Sequence, residues 1–325
     1  MQDAVRPPGA RVLAGGWAWF DRVEVLSRGE APRLAAVGDV PADVLERLCA
    51  PRADFAGLAV DRPRVMGILN VTPDSFSDGG RFAGLEAAEA QGRAMAAAGA
   101  DILDIGGEST RPGAAEVAIA EEIGRTAPAI GALRGIGVAL SIDTRKAAVA
   151  RAALAAGAGI VNDVAALGFD AALAGVVAEA GVPVVLMHAQ GSPATMQADP
   201  RYDDVLLDVY DFLATRVAAA EAAGIPRGRI AVDPGIGFGK TVAHNLALIR
   251  GLSLLHGLGC PILLGASRKR FIGVLGGGAD TDGRLPGSLA VALAGVAQGV
   301  QLLRVHDVSE TKQALALWQA VAGGE

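Results

Sequence analysis

Short apolar runs recur along most of the chain, at residues 65–69, 102–105, 138–142, 159–161, 184–187, 230–232, 261–264 and 302–305. Between them lie Ala-rich stretches such as residues 85–98 and 144–156, which stop at Gly99 and Gly157, the residue type favoured just beyond a helix C-terminus. Strands alternating with helices predict parallel pairing through right-handed crossovers. Runs that are apolar at every position, rather than at alternate ones, predict a sheet covered on both faces. Eight such units within residues 64–325 fit an α/β fold, a (β/α)8 TIM barrel with a short N-terminal extension. A doubly wound open sheet is the alternative, since it too alternates strands and helices.

Residues 1–63 have a different character. Alternation over residues 17–25, which include Trp17 and Trp19, predicts one half-buried strand; a short helix is expected after Pro41, and Asp61-Arg62-Pro63-Arg64 marks a boundary. No chemistry attaches to this extension. The uncharged stretch over residues 285–303 is long enough to raise a membrane span, but Pro286, Ser288, Gln298 and Gln301 interrupt it, so it predicts a helix followed by a strand.

Composition then excludes some functions. A chain with 51% hydrophobic and 20% charged residues can build a large core. A net charge of −6 and a pI near 5.3 argue against a nucleic-acid or membrane-surface partner, whose footprint is a basic excess. Cys49 and Cys260, the only cysteines, form no metal-ligand or disulfide pattern. No basic-then-apolar leader is seen, so a cytoplasmic location is expected.

A barrel brings the residues after each strand to one rim. Asn70 follows the first strand; Glu108, Thr110 and Arg111 follow the second; Asp143 ends the third. Asn162 and Asp163, His188, and Asp233 end the next three; Ser267 to Arg270 follow the seventh, and Arg304 and His306 belong to the eighth. Asp143 and Asp233 sit at apolar strand ends, where an unpaired carboxylate is costly to desolvate, so each needs a designated donor or ligand. With Asn162 and Lys269 they could ring the edge of a flat, nitrogen-rich heterocycle. A second group points to an anion: Arg304 and His306 share a side at period two, and Arg111 and Asn70 come from adjacent strand ends. Arg304 could instead pair with Asp307 or Glu310 at the surface. The glycine-rich run from Asp233 to Thr241 fails both the phosphate-loop and the dinucleotide patterns, because Pro234 and Lys240 stand where glycines are required.

Longer stretches carry a resemblance. Ile68-Leu69-Asn70-Val71-Thr72-Pro73-Asp74-Ser75-Phe76-Ser77-Asp78-Gly79-Gly80 and Asp104-Ile105-Gly106-Gly107-Glu108-Ser109-Thr110-Arg111-Pro112-Gly113 resemble the two signatures of the dihydropteroate synthase family. The likeness continues through Ser141-Ile142-Asp143-Thr144, Asn162-Asp163, Met187-His188, residues 232–240, Ser267-Arg268-Lys269 and Arg304-Val305-His306. It implies a pterin-binding barrel that joins 6-hydroxymethyl-7,8-dihydropterin pyrophosphate to 4-aminobenzoate, releasing pyrophosphate and giving 7,8-dihydropteroate for folate synthesis, with sulfonamides as inhibitors. Carried over by residue, Asp143, Asn162, Met187, Asp233 and Lys269 would hold the pterin, while Asn70, Arg111, Arg304 and His306 would hold the pyrophosphate, with Mg2+ at Asn70. Phe76, Thr110, Pro112, Phe238, Ser267 and Arg270 would line the 4-aminobenzoate pocket. Asp74, Asp78, Arg111 and Lys269 would act in catalysis. Arg270 departs from the serine that many members carry there. The resemblance also implies a homodimer. Two other readings share the pterin site: a methyltransferase passing a methyl from a reduced folate, and a non-catalytic pterin-binding paralogue. The methyltransferase would not need the Arg111, Arg304 and His306 anion site, and a paralogue would be expected to have lost Asn70, Arg111, Lys269 or Arg304, all of which are present.

Overall fold

The eight apolar runs pair side by side as parallel strands: β1 (Arg64–Asn70), β2 (Ile102–Gly106), β3 (Ala139–Asp143), β4 (Ile160–Asp163), β5 (Val184–Met187), β6 (Ile230–Asp233), β7 (Leu263–Leu264) and β8 (Leu302–Val305). The structure, a computed structural model, describes residues 6–72, 80–109, 114–191, 195–277 and 280–322, the side chains of residues 80–83 excepted. Hydrogen-bonded neighbours run β6-β5-β4-β3-β2-β1-β8-β7. The ring closes where Val232 and Ile262 form a parallel bridge and the Val232 N–H donates to the Pro261 carbonyl at 2.9 Å. A closed ring removes the open-sheet alternative.

Nine helices are described around it: α1 (Gly80–Ala97), α2 (Ile119–Leu133), α3 (Ala147–Ala156), α4 (Leu173–Ala180), α5 (Val205–Ala222), α6 (Val242–Arg250), α7 (Arg270–Gly276), α8 (Leu285–Val296) and α9 (Val308–Val321). The expected stop after α3 is real, since Gly157 takes a φ of +123° that a side chain would disfavour. The stretch over residues 285–303 is α8 followed by the start of β8, and no helix among the described residues is long and apolar enough to cross a membrane.

Period two along each strand splits the apolar residues into two cores. Outward residues, among them Leu69, Leu103, Ile142, Val161, Leu186 and Leu303, pack under the helices. Inward residues Met66, Ile102, Ile160, Val185, Ala231, Leu263 and Leu302 form one apolar layer low in the barrel, with Phe55 and Val60 from the extension packed into it. The same alternation turns Asp104, Ser141, Asn162, Asp233 and Arg304 inward one step higher. Cross-strand register then aligns Asn70 with Gly106, Gly106 with Asp143, and Asp143 with Asn162, while Asp233 stands beside Met187. The polar strand ends therefore share one rim.

The extension differs from expectation in one respect. Residues 17–25 form two strands: Trp19–Phe20 pairs with Arg11–Val12, and Arg22–Val25 pairs with Arg33–Ala36. The chain changes partner at Asp21, so alternation continuous in sequence is divided between two small sheets. The helix expected after Pro41 is Ala42–Cys49. The Trp17 Nε1–H donates to the Val296 carbonyl at 2.8 Å, Arg28 bonds Asp208 at 2.6 Å and Asp211 at 2.5 Å on α5, and Arg52 reaches the His256 carbonyl at 2.9 Å. Phe55, fully buried, stops the lower end of the barrel.

His256 lies in this lower region with no exposure, its Nε2 3.0 Å from the Gln298 carbonyl and its Nδ1 without a partner among the described residues. Burial lowers its pKa to about 4. The unfolded chain therefore binds a proton that the folded chain refuses between the unfolded imidazole pKa and about 4, and stability falls as pH drops through that window. Urea unfolding is expected to show wild type losing about 3 kcal/mol more than His256→Gln over this interval; parallel curves would contradict the assignment.

Candidate active site

At the rim, one cation holds two carboxylates. Arg304 Nε donates to Asp104 Oδ2 at 2.6 Å, and its Nη2 donates to Asp143 Oδ2 at 2.6 Å. Asn162 Nδ2 donates to the same Asp104 oxygen at 2.9 Å. Asp104 has no exposure, whereas the Arg304 side chain keeps 21% of its surface and so faces the mouth. Burial opposes the Arg304 charge, but Asp104 and Asp143 outweigh it and keep the guanidinium protonated. Burial pushes Asp143 up to about 7 against the pull of Arg304.

The fate of Arg304 departs from the surface ion pair weighed above: Asp307 pairs with Arg268 instead, at 2.5 Å. The structure also joins two groups that the residues alone suggested were separate. Arg304, expected on the anion side, is bonded to Asp143, expected on the heterocycle side.

Asp233 accepts from the Gly235 N–H at 2.7 Å, and burial raises its pKa despite that bond and nearby Lys269. The Lys269 ammonium donates to the Ile236 carbonyl and stands 4.0 Å from the centre of the Phe238 ring, a cation–π distance. Burial lowers its pKa to about 7. Met187 and Asn162 are buried beside these groups on β5 and β4. Acceptors at Asp143, Asn162 and Asp233, a donor at Lys269 and the half-buried Phe238 ring suit the edge and face of a flat heterocycle.

Ser267 Oγ lies 3.1 Å from His306 Nδ1 and accepts from the His306 N–H at 3.2 Å, so these two residues form the neighbouring wall. Asn70 is half-buried at the end of β1, and its Oδ1 and the Asp143 carboxylate flank Gly106. Arg270 is exposed on the first turn of α7. Asp74, Phe76, Asp78, Thr110, Arg111 and Pro112 lie outside the described residues.

Three supports were not singled out by sequence reasoning. Asp104 is one, although a carboxylate at the centre of the apolar run 102–105 was itself a signal. Lys240 is another: it is buried, bonds His188 Nδ1 at 2.8 Å and the Phe238 carbonyl at 3.0 Å, and burial lowers its pKa to about 7. Burial, helped by Lys240, lowers His188 to about 3, so the imidazole is a neutral acceptor. The third is Lys146, which bonds Glu108 at 2.9 Å, Glu122 at 2.8 Å and the Val117 carbonyl at 2.6 Å, while Glu108 accepts from the Val117 N–H at 2.8 Å. Both approaches to residues 110–113 are thereby tied to β2 and α3.

A (β/α)8 barrel with such a mouth defines a class of heterocycle-binding enzyme, and residues 66–306 match the family described as pterin binding enzyme. A dihydropteroate synthase of Neisseria meningitidis serogroup B is 47% identical over 269 residues, covering 81% of this chain and 94% of that one. Structures of the Xanthomonas albilineans dihydropteroate synthase with 4-aminobenzoic acid (51% identity, TM-score 0.79) and with 7,8-dihydropteroate (49%, 0.77) each cover 85% of this chain and nearly all of theirs. A Yersinia pestis dihydropteroate synthase with a sulfonamide drug is 44% identical, with a TM-score of 0.78, covering 84% of this chain and 100% of that one. The chain belongs to the dihydropteroate synthases, within the pterin binding enzyme family.

Replacing Arg304 by Met strands two carboxylates. Urea unfolding is expected to show a loss of about 3 kcal/mol or more. The loss should be larger at about pH 8 than at about pH 6, because the folded variant takes up a proton on Asp143 as pH falls. An equal loss at both pH values would contradict the pairing.

Proposed function

We infer that the chain condenses 6-hydroxymethyl-7,8-dihydropterin pyrophosphate with 4-aminobenzoate to give 7,8-dihydropteroate and pyrophosphate, a transferase reaction of folate biosynthesis. The observation that carries this reading is the convergence of Asp143, Asn162, Asp233 and Lys269 around Arg304 at one barrel mouth. In it, Asp143, Asn162, Met187, Asp233 and Lys269 bind the pterin. Arg304 turns its exposed edge to the pyrophosphate, with Asn70, Arg111 and His306 around the same anion. Phe238 and Ser267, with Phe76, Thr110, Pro112 and Arg270, receive 4-aminobenzoate.

The chemistry follows from a weak nucleophile. A neutral arylamine attacks slowly, so breaking the methylene carbon–oxygen bond first, with the electron pair leaving on pyrophosphate, creates a strong electrophile whose charge spreads into the dihydropterin ring. The amine nitrogen then forms the carbon–nitrogen bond and releases a proton. Preorganised charge is the main catalytic device: Arg304, Arg111 and His306 stabilise the departing anion, and Asp74 or Asp78 is assigned the role of offsetting the charge on the cationic carbon.

Mg2+ suits the donor set here. Asn70 offers an amide oxygen beside the Asp143 carboxylate, and no group of three metal-binding side chains occurs among the described residues, so substrate oxygens and water would complete the shell of a hard cation. When bound, the ion neutralises pyrophosphate charge. The reading extends to a homodimer acting in the cytoplasm, supported by exposed apolar residues Leu317 and Val321 on α9 and Val274 and Leu275 on α7.

Purified chain mixed with the pterin pyrophosphate, 4-aminobenzoate and Mg2+ is expected to release pyrophosphate, and a sulfonamide is expected to compete with 4-aminobenzoate. Absence of release would remove the synthase reading and leave a pterin-binding paralogue; non-competitive inhibition would displace the assigned pocket. Sedimentation should report twice the single-chain mass, and a monomer would remove the dimer.

A further inference from the structure

Between Ser267 and Lys269, Arg268 takes a φ of +58°, the left-handed region that residues other than glycine rarely occupy. Such a conformation persists where surrounding contacts over-determine it. Here they do. Arg268 Nε donates to Asp307 Oδ2 at 3.0 Å and its Nη2 to Asp307 Oδ1 at 2.5 Å, a two-pronged pair whose partner carboxylate is largely buried. Its backbone N–H donates to Ser288 Oγ at 2.9 Å, and its carbonyl accepts from Arg284 Nη1 at 3.0 Å.

The consequence lies on either side of the strained residue. Ser267 turns to His306, and Lys269 turns to the carbonyl of Ile236 and the ring of Phe238. Relaxing Arg268 to an ordinary backbone conformation would rotate Lys269 relative to Ser267 and break one of these alignments. Asp307 directly follows His306, so a single carboxylate sets the end of β8 against the loop after β7.

We propose that Asp307 is a positioning residue for the pterin end of the site, acting by clamping Arg268 in its left-handed conformation so that Lys269 faces the barrel mouth. The proposal rests on the pterin reading given above. It makes the backbone conformation of Arg268, rather than its side chain, the functional quantity. Glycine at this position adopts positive φ without the steric penalty that alanine meets, while both lack the guanidinium.

Calorimetric titration of the full chain with 6-hydroxymethylpterin separates these effects. Arg268→Ala is expected to bind about fivefold to tenfold more weakly than Arg268→Gly, the factor set by the left-handed penalty of a residue with a Cβ. Asp307→Asn should weaken binding by about tenfold in the wild-type background and by less than about twofold in the Arg268→Gly background. An ordinary stabilising ion pair would lower the melting temperature on Asp307→Asn in the wild-type background alone and leave affinity unchanged. Equal binding by Arg268→Ala and Arg268→Gly overturns the clamp, as does an Asp307→Asn penalty of the same size in both backgrounds. A wild-type chain that binds no pterin overturns the clamp and the functional reading together, and the pyrophosphate-release assay reports on the latter alone.

Discussion

The guanidinium of Arg304, fixed between Asp104 and Asp143, is the interaction on which the upper half of the barrel depends. Taking three charges out of water is unfavourable, and the arrangement holds because one planar cation meets each carboxylate through its own N–H while Asn162 adds a further donor. The balance is incomplete. Among the described residues Asp104 Oδ1 and Ser141 Oγ have no hydrogen-bond partner, and Asp143 stays protonated more readily than an exposed carboxylate. An interior left partly unsatisfied is poised for a polar ligand, whereas a fully paired one would be inert.

Around this centre, the described loops after β4, β5 and β6 are tied at their roots by polar contacts. Asp163 accepts from the Ala165 and Leu167 N–H groups at 2.8 and 2.5 Å, holding Ala166 and Leu167 at positive φ directly after Asn162. Lys240 joins the Phe238 carbonyl to His188, and Tyr202 donates to the Gly239 carbonyl at 2.7 Å. Gly235 leaves no room for a side chain, since a Cβ would fall 1.8 Å from the His188 oxygen.

The barrel was legible because burial on both faces makes each strand apolar throughout, and because strand ends must share a rim once the ring closes. Asp143, Asn162, Asp233 and Lys269 were legible for the same reason: polar residues stand out against Ala139–Asp143, Ile160–Asp163 and Ile230–Asp233. Asp104 was harder to see as a support, because its meaning depends on Arg304, which faces it from β8 and lies 200 positions further along the chain. The pairing of Arg268 with Asp307, and not of Arg304 with Asp307, was equally hidden, since it follows from a positive φ that sequence spacing does not reveal. The division at Asp21 was missed because alternation records which way side chains point, not which strand they pair with.

Phe55, sealed beneath strands drawn from the whole ring, has a consequence for the order of assembly. The stopper and its straps precede in the chain the partners they bond, since Trp17 reaches Val296 and Arg52 reaches His256. Docking of this segment therefore cannot be completed until those distant partners are made, a long-range step of the kind that slows folding.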